Sequence, residues 1–499
     1  MNTGRVVVIG SGFGGLAAAI RLVARGYEVT VLEKRDQPGG RAYVYRQDGF
    51  TFDGGPTVIT APWLIDELFA LAGRRREDFV TFVPLDPFYR IVFPDGTHFD
   101  YSGDERRMAN EIRRLGAPES DVAGYRDFVR LSGRIFAKGF TELATAPFLH
   151  LRDMLAITPD LLRLQSHRSV YQVVAHHVRD DRLRQVLSFH PLLVGGNPFD
   201  TTSIYTLIHY LEREWGVWYA LGGMGAVVDA LVQLLGALGG TLWVGAEVTR
   251  INVANGRVTG VRLAGGETIA ANIVVCNADV ATAYATLLPG VARGPFPARK
   301  QLARMRYSMS LVVIYFGTDR LYRGGDGPEL AHHNILLGPR YEVLLRDVFS
   351  RKVLTDDISL YLHLPTLTDP TLAPPGHEAF YVLAPAPHLG GQIDWARQAR
   401  PFRDRVMRLL EDHYLPGLSR HLVTERMIDP RHFRDTLGSY LGAAFSLEPI
   451  LTQSAWFRPH NRAPEAPNLY FVGAGTRPGA GLPGVLSSAK IVDALIEED

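Results

Sequence analysis

The stretch Val6-Val7-Val8-Ile9-Gly10-Ser11-Gly12-Phe13-Gly14-Gly15-Leu16-Ala17-Ala18-Ala19-Ile20 decides the fold. Its apolar opening reads as a buried strand, and the small apolar residues after the glycines read as a helix packed close to it. Glycines at 10, 12 and 15 permit a tight turn, close backbone approach to a ligand and close helix packing, and Gly14 leaves one more position bare. Amides at the start of such a helix face an anion, so a dinucleotide is the expected guest. A second strand, Glu28-Val29-Thr30-Val31-Leu32, ends at Glu33, about twenty residues beyond the turn, where a carboxylate accepts hydrogen bonds from a ribose diol. The order strand, turn, helix, strand, acid carries far more information than one glycine fingerprint.

Three further stretches select the dinucleotide. Asp36-Gln37-Pro38-Gly39-Gly40-Arg41-Ala42 stands where a nicotinamide enzyme continues into a plain crossover helix. The bare amides around Gly40 and the fork of Arg41 suit a pyrophosphate or a flavin edge. Phe50-Thr51-Phe52-Asp53-Gly54-Gly55-Pro56 is another glycine turn, containing Gly55. Near the C-terminus, Asn468-Leu469-Tyr470-Phe471-Val472-Gly473-Ala474-Gly475 reads as a strand running into glycine, followed by a loop to Gly484 and a helical run from Val485 to Ile496. A helix starting near Gly484 aims its positive end at the electron-rich edge of a reduced flavin. The two chain ends are therefore expected to build one site.

These residues resemble the bacterial-type phytoene desaturases, members of the FAD-dependent amine-oxidase-like superfamily, over essentially the whole chain. More particular stretches carry the resemblance: Arg41-Ala42-Tyr43-Val44-Tyr45, Gly54-Gly55-Pro56-Thr57-Val58-Ile59-Thr60, Leu193-Val194-Gly195-Gly196-Asn197-Pro198-Phe199 and Leu451-Thr452-Gln453-Ser454-Ala455-Trp456-Phe457-Arg458-Pro459-His460-Asn461. The resemblance implies noncovalent FAD, phytoene and later carotene intermediates as substrates, successive desaturation toward lycopene, and a quinone or oxygen as electron acceptor. It also implies that Val248 meets the adenine through its backbone. Two positions depart from the family: Arg477 stands where histidine is usual, and Tyr219-Ala220-Leu221 replaces an aromatic-proline pair before Gly222-Gly223.

Composition bounds the alternatives. In 499 residues, 53 Lys and Arg against 52 Asp and Glu leave a formal charge of +1, so no nucleic-acid partner is expected. Cys276 is the single cysteine, which rules out an intramolecular disulfide and a cysteine-cluster metal site. Only Met1 to Arg5 precede the first apolar run, so no signal peptide is expected. Ala230 to Ala246 is interrupted by glycines and reads as helix, turn and strand rather than a membrane span. Cytoplasmic location with peripheral attachment to the membrane surface is expected, because a carotene stays in lipid.

The fold class expected is α/β: a Rossmann-type FAD-binding domain, a mixed-sheet substrate domain and a helical lid or membrane-facing region. The FAD-binding segments are 1–65, 222–294 and 461–499, the helical region is 66–221 and the substrate domain with its sheet floor is 295–460. Within 222–294, strands separated by turns at Asn255-Gly256 and Gly265-Gly266 read as a hairpin meander. A helix is expected over Phe402 to His413.

No metal is expected: there is no HExxH, and the side chains of the adjacent pairs His176-His177 and His332-His333 should diverge. No G-x-S-x-G elbow or Walker loop occurs, so the flavin must carry the reaction. Asp153, paired with Arg152 inside the apolar stretch from Ala146 to Leu155, reads either as a proton-handling acid or as a helix-start carboxylate beside a surface arginine. Beside the desaturase, two other readings stay open: an amine or porphyrinogen oxidase, and a prenyl-lipid chaperone that does not use flavin.

Overall fold

The computed structural model describes residues 4–142, 151–288, 298–323 and 327–497. A five-stranded parallel sheet runs in the order Leu469–Phe471, Ile273–Cys276, Arg5–Ile9, Glu28–Leu32, Thr241–Trp243. Alternation along its central strand feeds two cores. Val6 and Val8 pack with the helices Phe13–Ala24, Gly223–Ala237 and Leu482–Glu497, while Val7 and Ile9 pack with the antiparallel meander Val248–Ala254, Arg257–Leu263, Thr268–Ala270. Burial on both faces is why this strand is apolar at successive positions. Gly15 sits so close to the turn that a β-carbon there would lie 2.1 Å from the carbonyl oxygen of Gly10.

A second, seven-stranded mixed sheet runs in the order Leu422–Ile428, Ser310–Thr318, Glu378–Ala386, Leu360–His363, His333–Leu336, Tyr89–Val92, His98–Tyr101. Ile314, Phe316, Phe380 and Val382 on one face pack beneath the helix Trp395–His413. Leu311, Val313, Tyr381 and Leu383 on the other face share a core with the helices Glu119–Phe136, Val170–His177 and Asp181–Ser188. That second face is the floor of the cavity described below.

Two sequence expectations need correction. The region expected to be helical contributes the hairpin Tyr89–Val92 and His98–Tyr101 to the mixed sheet. Its signal is Asp95-Gly96, at a turn in which Phe93 N donates to Thr97 O at 2.8 Å. The helix expected from Phe402 begins instead at Trp395, with Pro401 inside it. Asp394 caps its first amides, and the buried stripe Trp395, Ala399 and Phe402 outweighs the hydrogen bond that proline lacks. Residues 146–150 of the stretch around Asp153 lie outside the described residues, as do residues 289–294 of the second FAD-binding segment. No described helix is long and apolar enough to cross a membrane.

Gly15→Ala should therefore cost roughly 3 kcal/mol or more, because a backbone oxygen cannot step aside. Gly236→Ala, where an added carbon meets open space in a helix, should stabilise by about 0.5–1 kcal/mol. Melting temperatures should move in opposite directions; equal values would mean that the turn can rearrange.

Candidate active site

One cavity of about 690 Å³ joins the two sheets, a size typical of cofactor and ligand sites. Gly10, Gly12, Gly14, Glu33, Gly40, Arg41, Gly55, Val248, Gly475, Gly484 and Val485 all line it. Gly15 does not; it packs behind the turn against Gly10. Glu33 is buried and held in place: Oε2 accepts from Ser11 N at 2.9 Å and Ser11 Oγ at 2.7 Å, and Oε1 accepts from Arg35 N at 3.0 Å.

Asn277, given no part in the site by sequence reasoning, is the post around which the glycines gather. A β-carbon on Gly12, Gly14 or Gly473 would come within 2.9, 2.8 and 2.8 Å of its amide atoms. Its backbone N donates to Ile9 O at 2.8 Å. The available signal was an amide residue directly after the buried strand Ile273–Cys276.

Arg41 Nη2 donates to Ser439 Oγ at 2.8 Å, while its buried Nε has no partner among the described residues. Burial lowers the guanidinium's pKa and Asp279 works against that shift. A donor left over on a buried cation, beside bare glycine backbone, fits an anionic group such as a pyrophosphate. Arg477 also lines the cavity and is 1% exposed, with Nη2 donating to Trp456 O at 2.7 Å. Burial pushes it down to about 9, against the opposing pull of Asp153.

Asp153 and Arg152 do not line the cavity. Arg152 is 80% exposed and its Nε stands 3.8 Å from Asp153 Oδ1, whereas the neighbouring Met154 does reach the cavity wall. What Asp153 brings to the site is its charge on Arg477.

The far arm of the cavity is apolar, lined by residues such as Leu192, Leu211, Leu311 and Val313, with Glu212 the carboxylate in that arm. Glu212 is fully buried; Oε1 accepts from the Tyr89 hydroxyl at 2.8 Å, and Oε2 lies 3.1 Å from His190 Nε2. Burial pushes the carboxyl up to about 8, with the Tyr89 bond opposing, and pushes His190 down to about 3. At neutral pH the arm therefore faces a neutral acid beside a neutral imidazole.

The expectation that His332 and His333 diverge is wrong. His332 lies in a bend before the strand His333–Leu336, so strand alternation does not separate them, and both rings converge on His363 across the sheet.

The sequence pattern of the family described as "Flavin containing amine oxidoreductase" matches residues 13–492. The chain belongs to that family. It is an oxidoreductase, and the cradle suits the family's flavin in the form of FAD. The chain is 51% identical to the "Phytoene desaturase (lycopene-forming)" of Pseudescherichia vulneris, over 99% of both chains. It is 44% identical to the "Phytoene desaturase (neurosporene-forming)" of Cereibacter sphaeroides, over 98% of this chain and 94% of that one. Among solved structures, an oxidoreductase from Methanosarcina mazei superimposes with a TM-score of 0.65 at 18% identity, covering 99% of this chain and 100% of that one. Cyclohexylamine oxidase from Brevibacterium oxydans gives 0.61 at 17%, covering 99% of each chain. These two likenesses concern the fold.

Glu212 makes stability depend on pH. Between its ordinary value of 4.5 and about 8, the folded chain keeps a proton that the unfolded chain has released. Stability therefore falls as pH rises through this window and levels off above it. Wild type should melt lower at about pH 8.5 than at about pH 6.5, by up to a few kcal/mol equivalent, and Glu212→Gln should flatten the difference. Parallel pH profiles for the two proteins would place the proton elsewhere.

Proposed function

We propose that this chain is an FAD-dependent phytoene desaturase that dehydrogenates phytoene in successive steps toward lycopene. The observation that carries this reading is the continuity of a dinucleotide cradle with an apolar arm in which the carboxyl of Glu212 is kept neutral by burial. A C40 hydrocarbon offers no charge to recognise, so its site must work by apolar shape. The names of the relatives at 44–51% identity support the same substrate.

FAD, once bound, would supply the capacity for two-electron oxidation at an allylic carbon. The chain's own residues do the rest. The glycine turns and Glu33 would hold the dinucleotide, Arg41 would meet its anionic part, and Val248 would meet the adenine. Leu311, Val313 and Leu383 hold the polyene straight along the sheet floor and keep water from the carbons that react. The second hydrogen leaves the adjacent carbon as a proton to a weak base or to water, and the electron pair of that C–H bond becomes the new double bond. Asp153 is the proposed positioning residue here, acting through Arg477 on the charge of the wall, with Arg152 as its exposed neighbour. The electron acceptor proposed is a quinone or oxygen.

Anaerobic mixing of the flavoprotein with phytoene in liposomes should bleach the flavin and yield more conjugated carotenes. Bleaching by amines but not by phytoene would transfer the assignment to an amine oxidase. In the same assay Asp153→Asn should lower kcat several-fold and displace its pH profile, with flavin content and KM unchanged. An unaltered profile would return Asp153 to a purely structural part.

Attachment to the cytoplasmic membrane surface is part of the proposal. The helix Leu151–Arg163 turns Met154, Ile157 and Leu161 to the cavity while Leu155 and Leu162 are 64% and 60% exposed. Exposed leucines on the element that walls the cavity suit a mouth opening into lipid. Replacing both with aspartate should weaken liposome flotation by roughly 100-fold, from about 1.5 kcal/mol or more per leucine, with FAD retained. Undiminished flotation would put the docking face elsewhere.

A further inference from the structure

Behind the cavity wall lies a second polar centre, apart from the cofactor cradle. His333 and His363 are cross-strand partners in the seven-stranded sheet, and His332 joins them from the bend before the strand. Their ring centroids are 4.5, 4.7 and 5.0 Å apart, and one nitrogen of each ring lies within 4.8 Å of the others. All three side chains are buried, at 4, 0 and 1% exposure.

Two of the rings are already oriented. His332 Nδ1 is 2.7 Å from Thr368 Oγ1, and His333 Nδ1 is 2.7 Å from the Tyr361 hydroxyl, which is itself 2.6 Å from Thr57 Oγ1. With Tyr361 donating to Thr57, its oxygen accepts from His333 Nδ1–H, and Thr368 accepts likewise from His332. That assignment leaves a lone pair on Nε2 of both rings. Neither Nε2 has a partner among the described residues, and neither nitrogen of His363 makes a well-formed hydrogen bond. The backbone of His332 acts on the His363 ring and opposes the downward shift that burial imposes. Burial keeps all three imidazoles uncharged.

Imidazole nitrogens left without a partner in a dry interior are costly unless something electropositive satisfies them. A ring fixed by an Nδ1–H bond to an oxygen, with Nε2 free, is also how metal-binding histidines are usually held. We propose that His332, His333 and His363 form a binding site for a borderline divalent cation of the zinc type. Three neutral imidazoles favour such an ion over Mg²⁺ or Ca²⁺, which take oxygen ligands. Metal–nitrogen bonds of about 2.0–2.1 Å in tetrahedral geometry require the nitrogens to draw together by up to about 1.5 Å. Tyr219 stands beside the site as a further donor: its ring is 4.6 Å from that of His332, and its hydroxyl also lacks a partner among the described residues. Burial raises the pKa of Tyr219, and the charges of Asp53 and Asp369 add to that shift in smaller measure. Tyr361 joins this centre to the cavity, whose wall it forms with Thr57. The cation would thus brace the wall rather than take part in the oxidation.

The test uses untagged flavoprotein, stripped with a chelator, dialysed against micromolar Zn²⁺, desalted and analysed by plasma mass spectrometry. About one zinc per chain is expected for wild type, and less than roughly one-tenth for His333→Phe/His363→Phe at equal flavin content. Mg²⁺ or Ca²⁺ in the dialysis should leave no bound metal. Wild type at background zinc, as water or a shared proton at the site would give, overturns the proposal. So does a folded double variant that keeps as much zinc as wild type. Should that variant fail to fold, zinc-edge X-ray absorption of wild type still decides: imidazole nitrogen in the first shell supports the site, and a shell without imidazole rejects it.

Discussion

Asn277 must fit between two glycine turns that come from opposite ends of the chain, and the rest of the site is arranged around that fit. Its amide leaves no room for a β-carbon on Gly12, Gly14 or Gly473. The turns are therefore bare for two reasons at once: a dinucleotide has to approach them, and an interior side chain has to lock them together. The lock also fixes the cavity, since the residues beside these turns form its wall.

From that clasp the cavity crosses into a different physical regime. The cradle is built of backbone amides, Glu33 and the buried guanidinium of Arg41, while the arm beyond is aliphatic and aromatic. An ionised group in the arm would repel a hydrocarbon and attract water. The chain places a carboxylic acid there, and burial keeps it neutral while the Tyr89 hydroxyl, which pulls the other way, bonds to it and His190 lies beside it. A neutral acid bonded to a buried hydroxyl sits next to a hydrocarbon at far lower cost than an ionised one.

The cofactor half was legible because its constraints are local. A buried strand, a glycine turn and an acid at a fixed distance are written within the first 33 residues, and the strand at Leu469–Phe471 is equally plain. What escaped notice depends on partners distant in sequence. Glu212 looks like any helical surface glutamate until Tyr89, from a strand 123 residues earlier, is placed against it. His332 and His333 acquire meaning from His363, which arrives through sheet register. The hairpin Tyr89–Val92 and His98–Tyr101 was hidden by the brevity of its strands, four residues each, though the alternation of His98–Tyr101 and the Asp95-Gly96 turn were visible.

The five-stranded sheet also constrains how the molecule comes into being. Its edge strand Leu469–Phe471 pairs with Ile273–Cys276, and that pairing cannot form until nearly the whole chain has been synthesised. Until then Ile273–Cys276 is an unpaired parallel edge, and the glycine turn at Gly10 to Gly15 faces a site with one wall absent. Pairings of such long sequence separation form slowly and expose strand edges meanwhile. Capture of the dinucleotide is thus a late event in the life of the chain, one that reports that both ends have found each other.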